Sequence, residues 1–313
     1  MTGSWFSFSF PDFAYAFMSV LLEGVPFILL GTLLSGLIDQ YLPSKVMVRF
    51  LPRNVFLGIC VSGAMGMVFP MCECGIVPVI RRLIQKGLPV SNAVAYMLAA
   101  PIVNPIVAVS TYAAFRGQSA EEFTVMRLGL GYFIAVLAAF AVHNLPIRMV
   151  MREGVLGTSL TEHNHGQARG LGRIGAALRV AVADFWDVMI FFIMGVAISS
   201  LFSTSVNQEL IQPLASNDWL AVFSMMGFAI ILSLCSTSDA FIAATFTNFP
   251  GVSKLAFLVL GPMLDLKLLF IYSAVFKKRF VIGLAIGLFV LIGLICVRLG
   301  TVGIFERIVT ASP

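Results

Sequence analysis

The chain has 313 residues, 59% of them hydrophobic and 11% charged, whereas a soluble domain carries about 25% charged residues. So few charges cannot coat a water-facing surface, which excludes a soluble enzyme and removes the basis for dividing the chain into domains by length. The net charge of +5 comes from short basic clusters between apolar runs, a pattern that reports membrane topology and not nucleic-acid binding.

Apolar segments cover roughly 13–38, 55–87, 91–113, 128–147, 178–202, 219–248, 252–276 and 280–298, and about 20 helical residues cross a bilayer. No Lys or Arg precedes Lys45, so the start lacks the basic region of a secretory signal peptide, and 13–38 is expected to remain as a span. Segments 55–87 and 219–248 are too long for one span, and each is interrupted. The first breaks at Phe69-Pro70-Met71-Cys72-Glu73-Cys74-Gly75 and the second at Leu234-Cys235-Ser236-Thr237-Ser238-Asp239. Irregular backbone at membrane depth survives only inside protein or beside a watery cavity.

The two halves repeat. Glu23, Gly31 and Ser35 match Asp187, Gly195 and Ser199 at an offset of 164, and Cys72 matches Cys235 at 163. Pro89, Pro101 and Asn104 match Pro250, Pro262 and Asp265 at 161. If both long segments are hairpins, 14 Lys and Arg residues lie inside, and Arg116, Arg127, Lys254, Arg298 and Arg307 lie outside. Eight simple spans, the alternative, give no convincing bias in either orientation. The hairpin threading puts the N-terminus outside and makes the repeats inverted, each with three spans and one broken or re-entrant hairpin. Transporters built this way hold substrate near the midplane, at the repeat interface. The expected organisation is an all-α membrane protein with a first repeat at 1–147, a cytoplasmic linker at 148–177 and a second repeat at 178–313. The linker carries Glu162-His163-Asn164-His165, read as solvated, with weak metal sensing as the other reading.

Of five cysteines, Cys60 and Cys296 lie in apolar runs and read as packing residues. Cys72 and Cys74 flank Glu73 in a helix break, and sulfur there selects soft, thiophilic ligands. Small-residue packing is the competing reading for the thiols, but Glu73 needs a partner or a watery cavity. Cys235 occupies the equivalent break, so three sulfurs would surround one soft trivalent atom if the repeats meet. Ser236, Thr237 and Ser238 would replace hydration or cap freed helix donors. Asp239 must be paired or protonated if buried. Asn104 and Asp265 sit at the later Pro-containing breaks, as polar site residues or as caps, with Lys267 near enough in sequence to neutralise Asp265 only if the helix is irregular. Glu23, Glu73 and Asp187 are coupling candidates, with buried hydrogen bonds to neighbouring helices as the structural alternative for Glu23 and Asp187.

Four motifs, Pro70 to Gly75, Leu98 to Pro105, Cys235 to Phe241 and Gly261 to Asp265, together resemble the predicted permease family called UPF0718 or YraQ-like, which includes the ArsP-type permeases. The resemblance implies a bacterial inner-membrane permease. ArsP-type members export trivalent organoarsenicals through membrane cysteines, which implies Cys72, Cys74 and Cys235 as arsenic-contacting positions. No P-loop, catalytic residue set, complete metal site or cofactor fingerprint is present in the sequence, so an ion gradient or another subunit must supply energy. The expected partners are a small-molecule substrate and the lipid bilayer, with no cofactor and no nucleic acid. A membrane thiol oxidoreductase using Cys72 and Cys74, and a structural subunit of a membrane complex, are the competing classes; the first lacks the Cys-x-x-Cys spacing.

Overall fold

A computed structural model describes residues 9–41, 52, 54–152, 171–205 and 218–301. Among these residues the regular structure is helical, apart from one isolated β-bridge between Met151 and Phe276. Helices satisfy their own backbone groups, which lipid cannot do for them.

The first half runs α1 (Phe10–Tyr41), α2 (Val55–Ala64, followed by a 3₁₀ turn Met65–Met67), α3 (Glu73–Gln85), α4 (Val90–Ala99), α5 (Pro105–Ala114) and α6 (Ala120–Val142). A single turn, Ile147–Val150, follows. The second half runs α7 (Leu171–Ser205), α8 (Asp218–Leu232), α9 (Asp239–Thr245), α10 (Gly251–Leu260), α11 (Leu266–Val275) and α12 (Lys278–Thr301). Both halves thus pass through the same order: a long helix, four short ones, then a long one.

The long helices α1, α6, α7 and α12 are apolar and long enough to cross a membrane. Their outward faces carry large apolar side chains, such as Leu22 and Leu30 on α1 and Ile282 and Ile286 on α12, as a lipid-facing surface requires. A ten-residue helix such as α4 or α5 is about 15 Å long, half of a hydrocarbon core of about 30 Å. The short helices therefore act in pairs around a break. The breaks in 55–87 and 219–248 fall where the sequence places them. The segments 91–113 and 252–276 are also broken, at Ala100–Asn104 and Gly261–Asp265.

Several expectations change. Arg127 and Lys254, counted as outside-loop charges, are buried in α6 and α10. Arg81 and Arg82 are buried on α3 and do not lie in a loop. The helix α7 begins at Leu171, inside the stretch read as linker, while Glu162 to His165 lie outside the described residues.

The packing is one-sided. Helix α1 runs along α7, α1 also lies on α3, and α7 lies on α11. A Cβ at Gly31 would sit 2.1 Å from the Gly75 carbonyl oxygen, and one at Gly195 would sit 2.8 Å from the Lys267 Cα. Only glycine permits these approaches. By the repeat, the counterparts of α1–α3 and α7–α11 are α7–α9 and α1–α5, yet neither is a substantial contact among the described residues. In contrast, the cross-half pairs α3–α11 and α9–α5 both form.

Candidate substrate site

The two cysteine-bearing breaks meet in the middle of the molecule. Cys72 is the N-cap of α3, in extended backbone with φ −75° and ψ 161°, so Glu73 and Cys74 form the first turn. The chain leaves α8 through Ser233, whose φ of 47° is left-handed, and α9 starts at Asp239. The Ser236 hydroxyl donates to Glu73 Oε2 at 3.3 Å, joining the breaks directly. A narrow cleft lies beside this contact. Cys72, Cys74 and Cys235 line it together with Glu73, Lys267 and Glu23, while Val20, Gly24 and Phe27 of α1 and Phe192 of α7 close its walls. All five cysteines are free thiols. Among the described residues, no three His, Cys, Asp or Glu side chains are arranged to hold a metal ion. The sulfurs share one cleft without forming a ready cage, so a ligand there must draw them together.

Two buried cations organise the surroundings. Lys267, in the first turn of α11, donates to Glu73 Oε1 at 3.2 Å, to the Ser233 carbonyl at 3.1 Å and to the Leu234 carbonyl at 3.2 Å. Its ammonium also lies 3.4 Å from Asp265 Oδ2. The carbonyls are the loose end of α8, where the helix dipole favours a positive charge. Arg127 of α6 donates to both Asp239 oxygens at 2.9 and 2.8 Å, to the Ser236 carbonyl at 2.9 Å and to Thr111 Oγ1 at 2.7 Å. The guanidinium is 0% exposed, so one residue ties α5, α6 and α9 together.

The remaining sequence candidates separate. Glu23 lines the cleft, but its repeat partner Asp187 is 61% exposed and accepts from Arg81 at 3.0 Å. Asn104 caps α5, its Oδ1 accepting from the Ile106 amide at 2.9 Å. Asp265 caps α11, its Oδ1 accepting from the Leu268 amide at 2.6 Å. Neither cap, nor Asp239, lines the cleft. The hydroxyls after Cys235 do not cap α9, since Ser238 makes no side-chain cap bond. Instead Ser236 reaches Glu73, and Thr237 Oγ1 lies 3.7 Å from Cys235 Sγ.

Sequence reading missed a second polar centre near the far end of α1. Asp184 of α7 accepts a forked pair from Arg82 at 3.0 and 3.1 Å and a hydrogen bond from Ser35 at 2.7 Å. Arg81 lies 3.3 Å from its other oxygen, and Asp39 adds ion pairs to Arg82 at 3.9 Å and Lys86 at 3.4 Å. This network fastens α1 and α7 to α3. Asp184 shares an apolar run with Asp187, and a carboxylate in such a run was the available signal; Arg127 stands in another.

The family model described as "Predicted permease" (ArsP_1) matches residues 10–301. The UPF0718 protein YcgR of Bacillus subtilis is 38% identical over 275 residues, covering 87% of this chain and 92% of that protein. A Streptococcus mutans protein named "Putative two-component membrane permease complex subunit" is 34% identical over 267 residues, covering 85% of this chain and 87% of its own length. No solved structure matches the chain. A match along nearly the whole chain, on a multi-pass helical fold with paired broken helices, places the protein in the UPF0718 or ArsP-type predicted permease family.

Proposed function

We propose that this permease exports a thiophilic small solute, such as a trivalent organoarsenical, across the bacterial inner membrane by alternating access. The observation that carries the reading is the cleft in which Cys72, Cys74 and Cys235, from two different helix breaks, face α1 and α7. Thiols suit soft trivalent centres. Two thiols condensing with methylarsenite, CH₃As(OH)₂, form two As–S bonds and release two waters, so loading needs no oxidant. Phe27 and Phe192 supply an apolar wall for the organic substituent.

The alternating step is supported by the one-sided packing. With the halves as inverted repeats and the N-terminus outside, the opposite-facing state seats α1 on α5 and α7 on α9. The offsets of 161 and 163 put Ile106 in the place of Lys267, and Ser238 in the place of Gly75. In that state Gly31 meets α5 near Ile106, and Gly195 meets α9 near Ser238. The Asp184 network then acts as the latch of the present state.

A second reading comes from the Streptococcus mutans relative, whose name makes it one subunit of a two-component complex. By that reading this chain transports only with a second protein. One experiment addresses both. Methylarsenite accumulation is measured in an arsenical-sensitive bacterial strain expressing the chain alone or with Cys72→Ser, Cys74→Ser or Cys235→Ser, with membrane protein levels checked. Export predicts lower accumulation with the wild type, lost in each well-expressed variant. Unchanged accumulation with well-expressed wild type removes the arsenical assignment for the chain acting alone. Activity that appears only beside a second chain selects the subunit reading.

A further inference from the structure

Behind the cleft, the hydrogen bonds around Lys267 do not balance. A lysine ammonium has three N–H donors. Here they are committed to Glu73 Oε1, the Ser233 carbonyl and the Leu234 carbonyl. Glu73 is satisfied as an anion, because its other oxygen accepts from Ser236. Asp265 is not. Its Oδ1 accepts from the Leu268 amide, while Oδ2 lies 3.4 Å from the ammonium, is fully buried and has no hydrogen-bond partner among the described residues. One ammonium faces two carboxylates, and a buried unmatched charge is costly.

We propose that Asp265 is the proton-binding site of the permease, holding one exchangeable proton on Oδ2 while Lys267 serves Glu73. With the proton bound, the Asp265–Lys267–Glu73 cluster is neutral. On release, the proton leaves by way of the groups that do line the cleft, Lys267 and Glu73, and the Asp265 carboxylate becomes a second anion competing for the Lys267 ammonium. Lys267 and Glu73 also line the cysteine cleft, so occupancy of the cleft and charge on Asp265 bear on the same ammonium. That shared group is a physical basis for linkage between the two sites.

The other half provides an internal control. Asn104 is the N-cap of α5 as Asp265 is of α11, its Oδ1 accepting from the amide two residues on where that of Asp265 accepts from the amide three residues on. The fold therefore accepts an amide at this position, and the carboxylate adds the capacity to ionise. The titratable groups that interact with Asp265 are Lys267 and Tyr272 on its own helix and Glu73 and Cys74 on α3. From α7, Gly195 lies against Lys267.

The coupling role rests on the permease reading, whereas the proton site itself does not, and the test separates them. Infrared difference spectra of the purified protein in lipid, swept from acid to alkaline pH without any substrate, report the C=O stretch of a buried protonated carboxyl. That band is expected in the wild type, lost on deprotonation, and absent in Asp265→Asn. A wild type without the band, or a band that survives in Asp265→Asn, overturns the proposal. Everted vesicles then take up phenylarsine oxide under an imposed pH gradient. Asp265→Asn is expected to lose gradient-driven accumulation while keeping exchange of external for preloaded phenylarsine oxide. Gradient-driven accumulation as strong as wild type in Asp265→Asn overturns the coupling role. Absence of both uptake and exchange in the wild type removes the thiophilic reading and leaves the infrared result to decide the proton site.

Discussion

Gly31→Ala tests whether the α1–α7 pair has two seats. The new Cβ would lie 2.1 Å from the Gly75 carbonyl oxygen and 2.8 Å from its carbonyl carbon. Comfortable contact is about 3.5 Å, so α1 must withdraw from α3 by about 1.4 Å. The obstacle is backbone, which cannot rotate away as a side chain does. Forcing one methyl group into such a contact costs about 1–3 kcal/mol. The cost is larger in the state in which Gly31 rests on Gly75 than in a second seat on α5, whose counterpart contact, Gly195 on Lys267, is looser at 2.8 Å. The difference between the two seats is the bias, and it shifts the populations by as much as about 150-fold. The assay is modification of Cys72, Cys74 and Cys235, each as the sole cysteine, by an impermeant maleimide applied to intact cells and to everted vesicles. Labelling is expected to fall from one side of the membrane and rise from the other. Gly283→Ala on α12, where a Cβ meets nothing within 4 Å, is the matched control. Folded Gly31→Ala protein with the labelling pattern of Gly283→Ala on both sides refutes the two-seat argument.

Arg127→Met strands the Asp239 carboxylate in a buried site and is expected to cost about 3–5 kcal/mol, read as a lowered midpoint for denaturant unfolding in detergent. Adding Asp239→Leu removes the stranded charge and is expected to recover part of that loss. Asp184→Asn removes the carboxylate that Arg82 forks onto; it is expected to loosen the latch and raise cleft labelling from the membrane face on which α1 ends. Asn104→Ala removes the cap of α5 and is expected to cost about 1 kcal/mol of stability, with no direct effect on thiol labelling, because Asn104 does not line the cleft.

The sequence showed the helical class and the position of each break, because composition, proline and glycine act locally. It also brought the three cysteines to one place, through the offset between Cys72 and Cys235. Partner choice was not legible. Arg127 was counted as a loop charge because a single arginine in an apolar run reads as the end of a span; its burial depends on Asp239, which is distant in the chain. Asp184 drew no attention for the same reason: its partners Arg81 and Arg82 come from another half. Asp187 was selected over it through the repeat match with Glu23, yet it is Asp184 that sits buried between α1, α3 and α7. Pairing of Lys267 with Asp265 is open on the sequence, since residues two apart face different ways on a regular helix and the local break relaxes that geometry. Asp265 is instead the cap of α11, outside the regular turn, and its side chain folds back over the helix start.

The distribution of polar ties also shows which parts move together. At the first break a neutral donor serves the backbone, Tyr96 reaching the Phe69 carbonyl at 3.3 Å, and within α2 Tyr132 reaches the Cys60 carbonyl at 2.9 Å. At the second, two cations hold it: Lys267 takes the carbonyls of Ser233 and Leu234, and Arg127 takes that of Ser236. Lys267 also grips α3 through Glu73, and Arg127 grips α9 through Asp239. Both breaks are therefore bound into one body with α3, α5, α6, α9 and α11, and separating them would expose paired charges to the membrane interior. The α1–α7 pair is held differently, mostly by close glycine contacts, by the Asp184 network at one end and by a single neutral hydrogen bond from Ser199 of α7 to the Ile231 carbonyl of α8 at 3.0 Å. Directional ties resist sliding, while glycine contacts can be remade against any surface of similar shape. The rearrangement with the smallest electrostatic cost thus keeps the cysteine-bearing breaks together and lets α1 and α7 exchange the helices on which they rest.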